Sequence, residues 1–242
     1  MTERDYTEIF KKNFLTSVSC EVRFKPLLLI QNFIPKFQKE IRDALPNINM
    51  GMPIIIPEMA SPLSSLFRWD FSSIDGKKVI KISIDTISFI QSNYNNFNEY
   101  LPEVLKYFKK FFDLCGIKEF SRIGLRYVNE FPLKELENSE EISLLKFFNP
   151  MITTDVLSDL NPIQFDLMMR RNIENVTLVT RNNLIPNIDK KDKFIIDIDS
   201  FKMAEIKQND LEGLIKILHD LLIKEFYRNI TNDLIKILRK RS

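Results

Sequence analysis

The chain is poor in the residue types on which most catalytic and cofactor sites depend. Its 242 residues include two cysteines, one histidine and five glycines. Cys20 and Cys115 stand too far apart for a paired-cysteine zinc site and are too few for a disulfide framework. A reducing, cytoplasmic setting is therefore expected. His219 has no second imidazole to share a metal with. No Gly-x-Ser-x-Gly elbow is present to make it the base of a serine hydrolase. The glycines, at 51, 76, 116, 124 and 213, are never closely spaced. Phosphate cradles of the Walker and dinucleotide types need backbone N–H groups brought close to an anion by clustered glycines, so both are excluded. No cofactor is expected.

Long apolar runs are also missing. The longest such stretches, among them 27–30 and 54–56, are three or four residues, against the roughly 20 needed to cross a bilayer as a helix. Charges interrupt the first residues, so no secretory segment and no membrane partner are expected. Neither sign of charge dominates: 35 basic against 33 acidic side chains leave a net charge of +2. Such a balance gives no field to gather a polyanion, and nucleic acid is disfavoured as a partner. The basic run Arg239, Lys240, Arg241 suits the negative end of a helix dipole.

What the chain has is apolar bulk, with 44% hydrophobic residues and 20 phenylalanines. That is enough for a core without staples. Val18, Cys20, Val22 and Phe24 alternate with polar residues, which predicts a strand over 17–24. Pro26 suits the start of a helix. Leu28, Ile30, Phe33, Ile34, Phe37, Ile41 and Leu45 continue at helical spacing to Pro46, with Pro35 placed to kink or split it. Residues 46–65 read as a loop with room for one short strand.

Phe67, Trp69 and Phe71, then Asp75-Gly76, then Ile80, Ile82 and Ile84 predict an antiparallel hairpin. A strand over 88–92 follows closely enough to make a meander. One apolar face formed by Phe97, Leu101, Val104, Leu105, Phe108, Phe111 and Phe112 predicts a helix over 96–114, ended by Gly116. Residues 122–131 return as a strand. Further strands are expected over 163–170, 175–180 and 193–198. A helical segment over 210–239 follows, broken near 229–232.

The class is therefore α+β, a mainly antiparallel sheet backed by amphipathic helices. Its organisation reads as a lobe over 1–132, a connecting region over 133–162 and a lobe over 163–242. The two lobes form a loose pseudo-duplication or merge into one compact domain.

Four stretches carry a family resemblance. They are Glu21-Val22-Arg23-Phe24, Arg68-Trp69-Asp70-Phe71, Arg122-Ile123-Gly124-Leu125-Arg126-Tyr127-Val128-Asn129, and the closing segment from Leu218-His219 through Phe226 to Ile230-Thr231-Asn232. Together they span nearly the whole chain, which resembles a sporadically distributed family of uncharacterised prokaryotic proteins of about this length. The resemblance implies a self-contained prokaryotic protein in a defence- or mobile-element-associated setting. It carries over no activity and no catalytic residue.

Two constellations could carry chemistry. Arg122 and Arg126 fall on one side of a strand, with Gly124 between them leaving room for the guanidinium groups. Arg23 and Arg68 occupy the outward phase of other strands, so a basic sheet face could bind a carboxylate or phosphate. Glu21, Asp70 and Glu130 lie close by in sequence and offer an alternative, ion pairing across the sheet. Asp197 and Asp199 project from one face of a strand, where paired carboxylates could hold Mg²⁺ if a third ligand such as Asp166 joined them.

The leading expectation is an interaction protein that binds a protein partner or a small anionic ligand. Arginine-bearing strand faces and the phenylalanine-rich helix around 108–112 support it. One alternative is a metal-dependent enzyme acting on a phosphate-containing substrate, with Asp197 and Asp199 on the metal and Arg122 and Arg126 on the phosphate. The other is nucleic-acid binding through the arginine face.

Overall fold

The computed structural model describes residues 10–51, 68–136, 144–149, 164–185 and 193–239. Nine strands form one antiparallel sheet. They are β1 (Leu15–Arg23), β2 (Asn47–Gly51), β3 (Arg68–Ser72), β4 (Lys78–Ser83), β5 (Thr86–Gln91), β6 (Glu119–Pro132), β7 (Phe165–Ile173), β8 (Val176–Ile185) and β9 (Lys193–Lys207). Their order in the sheet is β2-β3-β4-β5-β1-β6-β9-β8-β7. The helices are α1 (Ile34–Ile41), α2 (Phe97–Cys115), α3 (Leu133–Leu136), α4 (Leu144–Phe147), α5 (Leu211–Asn229) and α6 (Asn232–Arg239). The α+β class expected from the alternation and helical periodicities is the one observed. No helix among the described residues is long and apolar enough to cross a membrane.

The chain divides into two compact units. One comprises Ser17–Leu125 and Phe201–Leu218. Its β3–β4 hairpin pairs Trp69 with Ile82 and Phe71 with Ile80. β5 then adds to β4 with Phe89 opposite Ile80, which completes the expected meander. Pro35 lies at the entrance of α1 and separates it from a 3-10 turn over Leu28–Asn32, the split its fixed φ predicts. α2 is bounded at both ends by local chemistry. The Asn96 side chain accepts a hydrogen bond from Glu99 N at 2.9 Å. Gly116 takes the left-handed conformation that ends the helix, with φ +69°. The buried face of α2 carries Tyr100, Val104, Phe108, Phe111 and Phe112 into an aromatic interior. Phe37 meets Phe111 edge-on at 5.3 Å, and Phe112 lies 4.5 Å from Phe120.

The other unit comprises the described residues up to Thr16, Arg126–Ser200 and those from His219 onward. Phe148 stacks on Phe194 at 3.8 Å and meets Phe131 at 5.5 Å. The expected helix break near 229–232 has a visible cause. Thr231 N donates to Phe147 O, and Asn149 N donates to Asn229 O, so backbone groups that would continue the helix pair with the end of α4 instead. The β7–β8 hairpin closes through Glu174 and Asn175, both with positive φ (50° and 65°), the type I′ turn suited to strand twist.

Two strand lengths correct the sequence expectation. β8 continues beyond Thr180 to Ile185, because Asn182 is buried within the fold rather than turning the chain. β9 runs on to Lys207 although alternation is lost after Ser200, since Met203, Ala204 and Glu205 are all exposed. Within 46–65, read as a loop, residues 47–51 form β2, and the run 54–56, on which a short strand is expected, lies outside the described residues.

Candidate functional site

The four arginines singled out from sequence do not converge on one site. Arg122 directs Nη1 to Glu21 Oε1 at 2.7 Å, and Arg23 Nε reaches the same oxygen at 2.9 Å. The Arg122 guanidinium also lies over the Phe201 ring, 4.5 Å from its centroid. A Cβ built on Gly124 would stand 2.8 Å from Arg122 Nη1. The glycine therefore makes room for the guanidinium, as its position between Arg122 and Arg126 suggests. Arg68 pairs within its own strand, Nη2 to Asp70 Oδ2 at 3.0 Å. It lies three places from β1 in the sheet order. Arg126 grips Asp197 through both oxygens, at 2.7 Å each. Each guanidinium meets a carboxylate, but only Arg122–Glu21 is a pair between strands of the kind expected: Arg23 and Arg68 pair within their own strands, Arg126 takes Asp197, and Glu130 pairs with Lys193 instead.

The same geometry bears on the metal reading. Asp197 is buried, and Arg181 Nη1 adds a second guanidinium 3.4 Å from its Oδ2. Two fixed cations satisfy this carboxylate, so a dication placed there would be repelled and its ligand oxygens already occupied. Asp199 is half-buried and Asp166 exposed. Among the described residues no three histidine, cysteine, aspartate or glutamate side chains are gathered to hold a metal. The residues do not fit one.

Neither cysteine is poised as a nucleophile. Cys20 is fully buried, and burial pushes its thiol pKa up. Burial likewise raises Cys115, to about 12. His219 Nδ1 lies 2.8 Å from the Tyr127 hydroxyl. Burial pulls its pKa down to about 4 against the opposing influence of Asp220, so the ring is neutral near pH 7.

Sequence reasoning missed a buried polar cluster. Glu225, 1% exposed, accepts a hydrogen bond from Thr180 Oγ1 at 2.9 Å and an ion pair from Arg171. Asn229 Nδ2 donates to Glu225 O at 2.8 Å, and Asn182 Nδ2 donates to Asn229 Oδ1 at 3.3 Å. Its signal was present in phase. Thr180 and Asn182 continue the inward series Val176, Leu178 and Leu184 on β8, while Glu225 and Asn229 extend the Leu218–Leu222 stripe of α5.

A second missed feature is the exposure of β7, a strand the sequence predicts over 163–170. Among the described residues it is an outermost strand, and Asp166 through Arg170 are exposed on both faces. Leu167, Met168 and Met169 are 43%, 60% and 40% exposed. In a two-residue hairpin the pair flanking the turn exchanges both hydrogen bonds, and such pairs alternate along the ladder. With Ile173 opposite Val176, the odd-numbered residues of β7 bond to β8. The backbone N–H and C=O of Asp166, Met168, Arg170 and Asn172 therefore point away from the sheet. Along this edge an apolar triplet and a row of outward backbone groups coincide. At the opposite edge, β2 exposes Ile48 and Met50 on either side of Asn49.

A scan against protein-family models matched none to this chain, and a search of the curated proteins likewise gave no match.

Proposed function

We infer that this chain is an interaction protein that takes up an extended segment of a protein partner along the edge of β7. The observation that carries the reading is the exposed Leu167-Met168-Met169 triplet on a strand whose outer backbone groups pair with no other strand among the described residues. Added strands gain main-chain hydrogen bonds from such an edge, while alternate side chains supply selectivity. Long apolar edges are otherwise an association hazard that proteins blunt with charge, proline or cover. The ion pairing of Arg23, Arg68, Arg122 and Arg126 gives less support to a phosphate or nucleic-acid ligand on the sheet face. The family resemblance adds a prokaryotic, defence- or mobile-element-associated context to the proposal.

The test is site-specific photo-crosslinking in the full chain, with Asn172→p-benzoylphenylalanine at an outward position of β7. The same unnatural residue at Glu212, on the exposed side of α5, is the control. A defined adduct from position 172 alone is expected. Indistinguishable patterns from the two positions would overturn the reading.

A further inference from the structure

Resting on the reading of β7 as an interaction edge, we propose that its partner is a second copy of this chain, paired antiparallel through β7 about a two-fold axis at Met168. Register and charge decide among the possibilities. The outward backbone groups belong to even-numbered residues. An antiparallel self-pairing must set even opposite even, so its two-fold axis passes through a residue rather than between two.

Five centres along the exposed stretch meet that condition. Centring on Asp166 or Arg170 sets like charges against each other. Centring on Leu167 or Met169 sets Met168 against Asp166 or Arg170. Centring on Met168 places Asp166 opposite Arg170 of the second copy and the reverse, Leu167 opposite Met169, and Met168 opposite itself.

Every side chain of the triplet then meets an apolar one, and both charges meet their opposites. Methionine suits the central contact, because its flexible thioether adapts to an identical neighbour across the axis. The paired interface is isologous and closes on itself, so the edge hazard ends at a dimer rather than a fibre. β2 offers no such complementarity, since its sequence Asn47-Ile48-Asn49-Met50-Gly51 carries no charge.

The experiment measures mass in solution by sedimentation at protein concentrations up to about 100 μM. Wild type, Asp166→Arg, Arg170→Asp and an equimolar mixture of the two variants are compared. Both substitutions are at exposed positions. Wild type should be dimeric. Each variant alone sets two like-charged pairs across the interface and should dissociate about tenfold more readily. Mixing should restore the dimer, because the arginine introduced in one variant then meets the aspartate introduced in the other, while the native Arg170 and Asp166 meet alongside.

Restoration on mixing also shows that both variants are folded. A monomeric wild type, or variants that dimerise as well as wild type, would overturn self-pairing. If the protein is monomeric yet the crosslinker at position 172 captures a different protein, self-pairing fails and the interaction reading stands. If it captures nothing, both fail.

Discussion

The unit containing β1 and α2 fills its interior with aromatic rings and keeps the carboxylate Glu21, which bridges Arg23 and Arg122, partly exposed. The unit containing β7 and β8 does the reverse with Glu225, burying a carboxylate among Thr180, Arg171 and Asn229. Apolar packing is tolerant, since rings of similar volume exchange at modest cost. A buried carboxylate is not, because removing one member of its network strands the others away from water. The difference teaches where each unit is vulnerable: the aromatic one to lost volume, the polar one to lost partners and to protons.

The sharpest break in that comparison is Glu225→Ala. Leaving the Arg171 guanidinium and the Thr180 hydroxyl without their acceptor should destabilise the protein by about 3–5 kcal/mol. Urea unfolding is the measurement, and a loss below about 1 kcal/mol would show that the cluster behaves as a surface pair does.

Protons provide the next test. The folded pKa of His219, about 4, lies below the ordinary value of about 6.5. The unfolded chain therefore binds a proton that the folded one excludes. Stability from this residue is complete above about pH 6.5 and is lost as pH falls toward 4, by about 3 kcal/mol at most. His219→Gln should flatten that part of the profile, read as the difference between variant and wild type in urea unfolding at about pH 7 and about pH 4.5.

The smallest expected effect is in the aromatic unit. Gly124→Ala should cost about 1–2 kcal/mol by displacing the Arg122 guanidinium from Glu21. In an Arg122→Ala background the same change should cost much less, and a double-mutant cycle on thermal unfolding measures that coupling. Equal losses in both backgrounds would mean that the glycine is needed for something other than the guanidinium.

Local features of the fold were legible in the sequence because local chemistry fixes them. Asp75-Gly76 sits where the β3–β4 turn forms, Gly116 ends α2, and Pro35 separates two helical turns. Gly124 between Arg122 and Arg126 announced a close approach that the structure contains. What was not legible is non-local. Asn182 looked like the end of a strand because its partner, Asn229, lies far along the chain. The arginines looked like a shared binding face because periodicity gives the side of a strand and not the partner opposite. The exposure of Met168 could not be read before the order of strands placed β7 outermost.

Cys20 has a different use. It has no exposed surface on β1, which lies between β5 and β6, so a thiol reagent can reach it only when that strand leaves the sheet. The protein thus carries its own clock for rare openings. The labelling rate of Cys20 under native conditions reports how often the middle of the sheet comes apart, with the partly exposed Cys115 as the internal standard.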